Sequence, residues 1–387
     1  MTPIHANLQS KIFNIKMRRY DIDALRVIVF GLLILYHVGM FFVPWDFHIK
    51  NSQTYEWLKY PMIFINRWRL PLLFVISGMG TYFDISKRSG LGFAKERFVR
   101  LFVPLVVGML LIVPPQVYFE RLDAGQFVGN YFAFWPSNAF TGVYPEGNLS
   151  WHHLWFIPYL LLFSLILIPI FLYLRNHTHA WIIQKTKKLA TLKLGLFVLA
   201  IPLIIWEILL KTRFPSTNAL VGDWYNIANY STMFLYGFLF MALKNYFWEN
   251  VIKNRRLYLI IGIVAFFVMM LIGFVFGHFP YRSITLCFVE TINEWAWILT
   301  FIGYAATYLN KPSRILSYAN EAVYPFYILH QTVMIALCFY LKNIEMCLFV
   351  KFFIIAVGTF GISWLIYEFG IRRYTLVRLL FGMKRKI

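Results

Sequence analysis

Charge is scarce in this chain: only 14% of its 387 residues are Asp, Glu, Lys or Arg, against about a quarter in a soluble globular domain. With 60% hydrophobic residues, 20% aromatics and a mean hydropathy of +0.62, an ordinary soluble domain is excluded. Acidic residues are scarcest, 17 against 37 Lys and Arg, for a net charge of +20. In a soluble chain that excess would indicate nucleic acid; here the cations sort around apolar runs, and no nucleic-acid partner is expected. Cysteine is also nearly lacking. Cys287, Cys338 and Cys347 lie in or beside apolar stretches without C-x-x-C or Cys/His spacing, which argues against a disulfide framework or a zinc site.

What is present is a series of apolar runs long enough for helices crossing a bilayer, about 20 residues each. Ten are read, at 22–43, 61–83, 99–117, 154–174, 193–210, 228–243, 257–277, 286–308, 321–341 and 348–368. The stretch 1–20 is polar and basic, and the run behind it has no small-residue cleavage site, so it reads as a retained first span behind a cytoplasmic tail. With the amino terminus inside, 26 of the Lys and Arg residues fall in cytoplasmic segments and 8 in outer ones, Lys351 among the latter. That asymmetry predicts an even number of spans, with both termini cytoplasmic and a basic tail at 369–387. The expectation is one all-α membrane domain of about ten helices around a polar cavity. The longest outer loop, roughly 118–153, is rich in Gly, Asn, Trp and Pro and could cover a polar ligand.

Three cations remain inside spans: Arg26, Arg67 and Arg69. Ionisable groups within a span cost about 2.5–3.5 kcal/mol each on insertion scales and mark functional positions by default. Arg26 and His37 are eleven residues apart, within roughly 20° of one helical face and roughly 16 Å along the axis. Such a stripe suits a substrate that enters from inside and reacts deeper; the plainer alternative pairs Arg26 with Asp23 and gives His37 a backbone partner. Arg67 and Arg69 point in different directions, and Arg69, just before Pro71, is favoured to face the cavity. Ser77 stands beside Gly78 and Gly80, which read as sites of close helix approach. Glu290 and Glu294 share a helix face and could orient basic partners such as Arg69. His330 reads as a core histidine or a supporting group.

Arg97 and Arg100 share a face at the inner mouth of the third span and suit phosphate clamping, although positive-inside residues explain them equally well. At the outer mouth of the fourth span, Trp151 and Trp155 are ordinary interface residues. Between them, His152 and His153 diverge by about 100° on a helix and have no carboxylate nearby in sequence, so no metal is expected.

The run Tyr20-Asp21-Ile22-Asp23-Ala24-Leu25-Arg26, with His37 eleven residues after Arg26, resembles the R-x10-H signature of the integral-membrane acyltransferase-3 family. The segment from Arg69 to Gly78, the pair Arg97 and Arg100, and His153-Leu154-Trp155-Phe156 are similar to the family's next landmarks, in the same order. These motifs cover about the first 160 residues; the remainder matches mainly in span count. The resemblance implies transfer of an acyl group from a cytoplasmic acyl-CoA to a hydroxyl of an extracytoplasmic carbohydrate, and within the family it is strongest to members that succinylate glucans. It also implies a bacterial inner-membrane location, His37 as the reactive imidazole, Arg26 as its partner and Arg97 and Arg100 as binders of donor phosphates. If acceptor delivery requires a further domain, a partner protein is the expected source.

The chemistry is compatible with these residues. A neutral imidazole can take the proton of a sugar hydroxyl attacking a thioester, or can carry the acyl group itself. Arg69 could stabilise the oxyanion or hold a succinyl carboxylate. The rival reading is a transporter or flippase with an intramembrane Arg, His and Glu pathway. Its usual paired halves are not found between 1–190 and 191–387.

Overall fold

The computed structural model describes residues 18–275 and 282–384. The tail residues Lys11, Lys16, Arg385 and Lys386 and residues 276–281 lie outside the described residues. Among the described residues the regular elements are all helical, apart from one isolated bridge between Val143 and Leu149. In chain order they are α1 (Tyr20–Met40), α2 (Lys59–Ile85), α3 (Gly90–Val107), α4 (Pro114–Asp123), α5 (Tyr131–Ser137), α6 (Phe156–Ile166), α7 (Ile168–Asn176) and α8 (Trp181–Thr191). Then follow α9 (Ala200–Leu209), α10 (Trp224–Ala242), α11 (Asn245–Val275), α12 (Arg282–Tyr308), α13 (Arg314–Leu341), α14 (Leu348–Leu365) and the short α15 (Thr375–Leu380).

Among the described residues helix occupies most of each of the ten apolar runs, but these elements are not equally suited to crossing a bilayer. Six are long and apolar enough: Tyr20–Met40, Glu56–Ile85, Gly90–Asp123, Asn245–Phe274, Arg314–Leu341 and Leu348–Ile371. The fourth run is not one straight helix. His152–Ile166 and Ile168–Asn176 meet at 51°, where Pro169 in the first turn of α7 removes an N–H and crowds the preceding carbonyls. The fifth, Gly195–Leu209, is a short apolar helix. α10 and α12 are long enough, but α10 carries Asn226 and Asn229, and α12 carries Glu290, Asn293 and Glu294. Composition, not length, keeps these two out of the apolar set.

The chain divides into two compact units. The first comprises Met1–Val27, Arg67–Gly90 and Ile166–Ser317; the second comprises Ile28–Asn66, Leu91–Leu165 and Tyr318–Ile387. In the first unit α2 and α10 cross at backbone contact. A Cβ on Gly78 would lie 1.9 Å from the Phe234 carbonyl oxygen, and one on Gly237 would lie 1.9 Å from that of Val75. Glycine is therefore required on both helices, as in other close membrane-helix crossings. Gly80 is different, since its nearest neighbour is the Arg26 guanidinium at 3.6 Å. In the second unit Val38, Phe41 and Phe42, at and just beyond the end of α1, pack with Met334, Ile335 and Cys338 of α13 and Ile355 of α14. All three cysteines are free thiols, Cys287 and Cys338 buried and Cys347 exposed.

Candidate active site

α1 runs without a break from Tyr20 to Met40, so Arg26 and His37 keep the register of one helix, Arg26 in the first unit and His37 in the second. Arg26 Nη1 is 3.3 Å from Asp23 Oδ1, and Asp23 also accepts from Arg18 Nε at 2.7 Å. The Asp23 partner of the plainer reading is thus present.

In the second unit His37 meets a second imidazole. Its Nδ1 is 2.9 Å from His330 Nε2, with the rings stacked at 5.1 Å between centroids. His330 is fully buried, and its Nδ1 lies 2.8 Å from the Tyr327 carbonyl oxygen. Carbonyls only accept, so His330 carries its proton on Nδ1 and its Nε2 accepts from the His37 Nδ1–H. This tautomer places the basic lone pair of His37 on Nε2. Phe47 stacks on the His37 ring at 6.5 Å.

The surroundings of His330 are polar but uncharged. The His153 ring stands perpendicular to it at 5.1 Å. His153 donates from Nε2 to the Ile328 carbonyl at 3.0 Å and faces Gln116 Nε2 with Nδ1 at 3.3 Å. Gln116, fully buried, also donates to Thr332 Oγ1 at 2.7 Å and accepts from Gln331 Nε2 at 3.2 Å. Tyr327 closes the set by donating to the His153 carbonyl at 2.5 Å. Every one of these groups has a partner of the right polarity, which is what a buried polar network requires. Gln116, Tyr327, Gln331 and Thr332 were not singled out from the sequence. The run His330-Gln331-Thr332 in an otherwise apolar helix was the available signal.

The first unit holds a charged network instead. Arg67 makes a two-pronged contact with Glu290, with Nη1 2.8 Å from Oε2 and Nη2 on Oε1. Lys211 bonds the same Glu290 Oε2 at 2.9 Å and also Glu207, which accepts from Tyr225. The sequence reading offered Glu290 and Glu294 to basic partners such as Arg69; at Glu290 the structure places Arg67. Arg69 is nonetheless buried, at 2% exposure, and both it and Glu294 act electrostatically on Tyr230. Ser77, on α2, accepts through its carbonyl from Thr81 Oγ1 at 3.0 Å.

Arg97 and Arg100 gather around Glu96, whose carboxylate lies 3.8 Å from Arg97 Nε and 2.8 Å from Arg100 Nη1. Arg97 also covers the Phe93 ring at 5.0 Å. Arg100 donates to the Gly382 carbonyl at 3.2 Å. In the same unit a cavity of about 370 Å³ is lined by Glu321, Glu368, Arg372, Arg373 and Arg378. These arginines read as plain orientation residues in the sequence, yet the fold gathers them around one cavity. Lys351, counted from the sequence in an outer segment, is buried on α14 and donates to Asn51 Oδ1 at 2.7 Å.

At the end of the long loop, Trp155 packs edge-on against Tyr159 at 5.5 Å. His152 and His153 diverge as expected, but a carboxylate does approach His152. It is that of Glu120, which lies 2.5 Å from His48 Nδ1 and accepts from Tyr144 OH at 3.1 Å. Burial and the adjoining Glu120 push the Tyr144 phenol up to about 12, so it stays a donor.

No solved structure matches this chain. Over 188 residues it is 27% identical to glucans biosynthesis protein C of Escherichia coli strain K12, and equally to that of strain O1:K1. The matched stretch is 48% of this chain and 46% of those relatives, so it spans about half the length of the curated proteins it matches. A family model described as an acyltransferase domain matches residues 19–368, from the start of α1 to the last turns of the final long helix. By that match the chain belongs to the acyltransferase-3 family of membrane enzymes.

Proposed function

We propose that this enzyme moves an acyl group from an acyl-CoA on the cytoplasmic side of a bacterial inner membrane to a hydroxyl of an extracytoplasmic glucan or related glycan. The observation that carries the reading is the 2.9 Å contact between His37 Nδ1 and His330 Nε2, with His330 anchored on the Tyr327 carbonyl. His37 Nε2, which carries the basic lone pair in this tautomer, takes the proton of the attacking hydroxyl as the oxygen adds to the thioester carbonyl. When the tetrahedral adduct collapses, the C–S bond breaks and the proton passes from His37 to the departing thiolate. His330 accepts the His37 Nδ1–H throughout and so favours the imidazolium that forms, as a carboxylate does in a catalytic triad, but without a formal charge.

Arg97 and Arg100 bind the phosphates of the donor in this reading, with Arg372, Arg373 and Arg378 at the nearby chain positions adding positive charge. The buried Arg69 supports the oxyanion or the free carboxylate of a succinyl donor. Kinship to a glucan biosynthesis protein supports glucan as acceptor, and succinyl as the acyl group follows from the family resemblance of the sequence motifs. Ten spans with both termini in the cytoplasm fit the distribution of Lys and Arg. The test is acyl transfer by purified protein in liposomes, with labelled acyl-CoA inside and glucan outside. A folded His37→Ala protein loses transfer; wild-type rates in that protein would remove the proposal. Mass spectrometry of the product glycan identifies acyl group and acceptor.

A further inference from the structure

His48, Glu120 and His152 come from three separate segments: the loop after α1, the last turn but one of α4, and the end of the long loop before α6. Their ligand atoms all lie within 4.8 Å of one another. The side chains of His48 and Glu120 are only 15% and 14% exposed. The three are not merely close. His152 Nδ1 is 2.9 Å from Ser150 Oγ, which also accepts the His152 backbone N–H. Its Nε2 is buried and has no hydrogen-bond partner among the described residues. The backbone holding it has a positive φ of 40°, a conformation that a β-carbon disfavours and that persists where surrounding structure enforces it. The Glu120 carboxylate is aimed in turn by Tyr144 OH on Oε1, leaving Oε2 for His48. Ligands of a metal are typically oriented by such outer hydrogen bonds on their second heteroatoms.

We propose that His48, Glu120 and His152 bind a divalent transition-metal ion of the zinc class. Two imidazoles and one carboxylate are a donor set that zinc takes with a fourth position left to water or a substrate oxygen. Bonds of about 2.0–2.2 Å space tetrahedral donors about 3.3–3.5 Å apart, which small side-chain rotations achieve from the present positions. Arg121 alongside is committed to loop oxygens: Asn148 Oδ1 and the carbonyls of Pro145 and Gly147, each at 2.8 Å. The ion would clasp the long loop to the segment that carries Phe47, the ring stacked on His37. It thereby fixes one wall around the reactive imidazole. The site stands whether or not acyl transfer is the reaction.

Full-length protein in detergent, stripped with EDTA and titrated with Zn2+ against a chromophoric chelator, reads the site directly. The expected result is one Zn2+ per chain at micromolar Kd or tighter, weakened at least 100-fold in His152→Ala and in Glu120→Gln, and retained in His152→Cys, which keeps a zinc ligand. Zinc raises Tm in the wild type and not in His152→Ala. Absence of stoichiometric binding, or equal binding by wild type and His152→Ala, overturns the proposal. Should the variants fail to fold, Zn K-edge absorption on the wild type decides. Two imidazoles with oxygen support the site, and a shell of oxygens alone overturns it.

Discussion

Around His330 the buried polar groups are histidines, amides, hydroxyls and backbone carbonyls, whereas around Glu290 they are two cations and two carboxylates. Both sets solve the problem of polar groups inside an apolar protein, by different physics. A neutral network costs little to bury once each donor has an acceptor, and its tautomers can exchange a proton without creating an isolated charge. The ionic set is held by opposite charges that must all be present, since removing one strands the others in a poorly solvating interior. The neutral network therefore suits proton transfer, and the charged network suits fixed positioning.

The contrast can be broken most decisively at Glu290. Glu290→Ala leaves Arg67 and Lys211 without their common partner and should cost about 3–5 kcal/mol, read as a fall in Tm in detergent. A change within experimental error would mean that water, not Glu290, carries those charges. Next comes the glycine crossing of the same unit. Gly237→Ala drives a methyl into the Val75 carbonyl and should cost about 1–3 kcal/mol by overpacking; Gly80→Ala, which meets only the far end of Arg26, should be nearly neutral.

In the neutral network the larger effect should be on rate. His330→Ala removes the acceptor of the His37 proton and should slow transfer about 100-fold, while His330→Gln, whose amide oxygen can accept the same proton, recovers part of it. Equal rates in the two variants would show that His330 only fills space. The smallest effect concerns Lys50, whose ammonium donates to the Met40 carbonyl at 2.5 Å and to that of Val43. Burial lowers its pKa to about 8, with Asp46 opposing. Between about pH 8 and 10.5 the folded chain binds fewer protons at Lys50 than the unfolded chain, so stability rises with pH across that window and this gain is lost as pH falls through 8. A Tm rise from pH 7.5 to 9.5 that persists unchanged in Lys50→Met would assign it to another group.

Much of the helical framework was legible because a bilayer demands long apolar runs, and among the described residues each of the ten runs is mostly helix. The break before α7 was also written locally, in Pro169, though it was passed over. The Arg26 and His37 stripe followed from helical periodicity alone, as did the close approach at Gly78. The partners were not legible. His37 and His330 are 293 residues apart, and Arg67 and Glu290 are 223 apart. The direction in which Arg67 rather than Arg69 reaches Glu290 depends on helix rotation and packing, which neither spacing nor charge reveals. His152 was set aside as a metal ligand for want of a nearby carboxylate, and Glu120 arrives from another helix.

The sequence by itself determined where the chain must be helical and apolar, how its positive charge is distributed and which residues are too polar for their surroundings, because these depend on local composition and on the period of a single helix. Tertiary structure alone decided what each of those residues meets: imidazole for His37, Arg67 and Lys211 for Glu290, His48 for Glu120. Hydrogen bonds and ion pairs act over about 3 Å, and only the folded chain brings segments hundreds of residues apart to that distance.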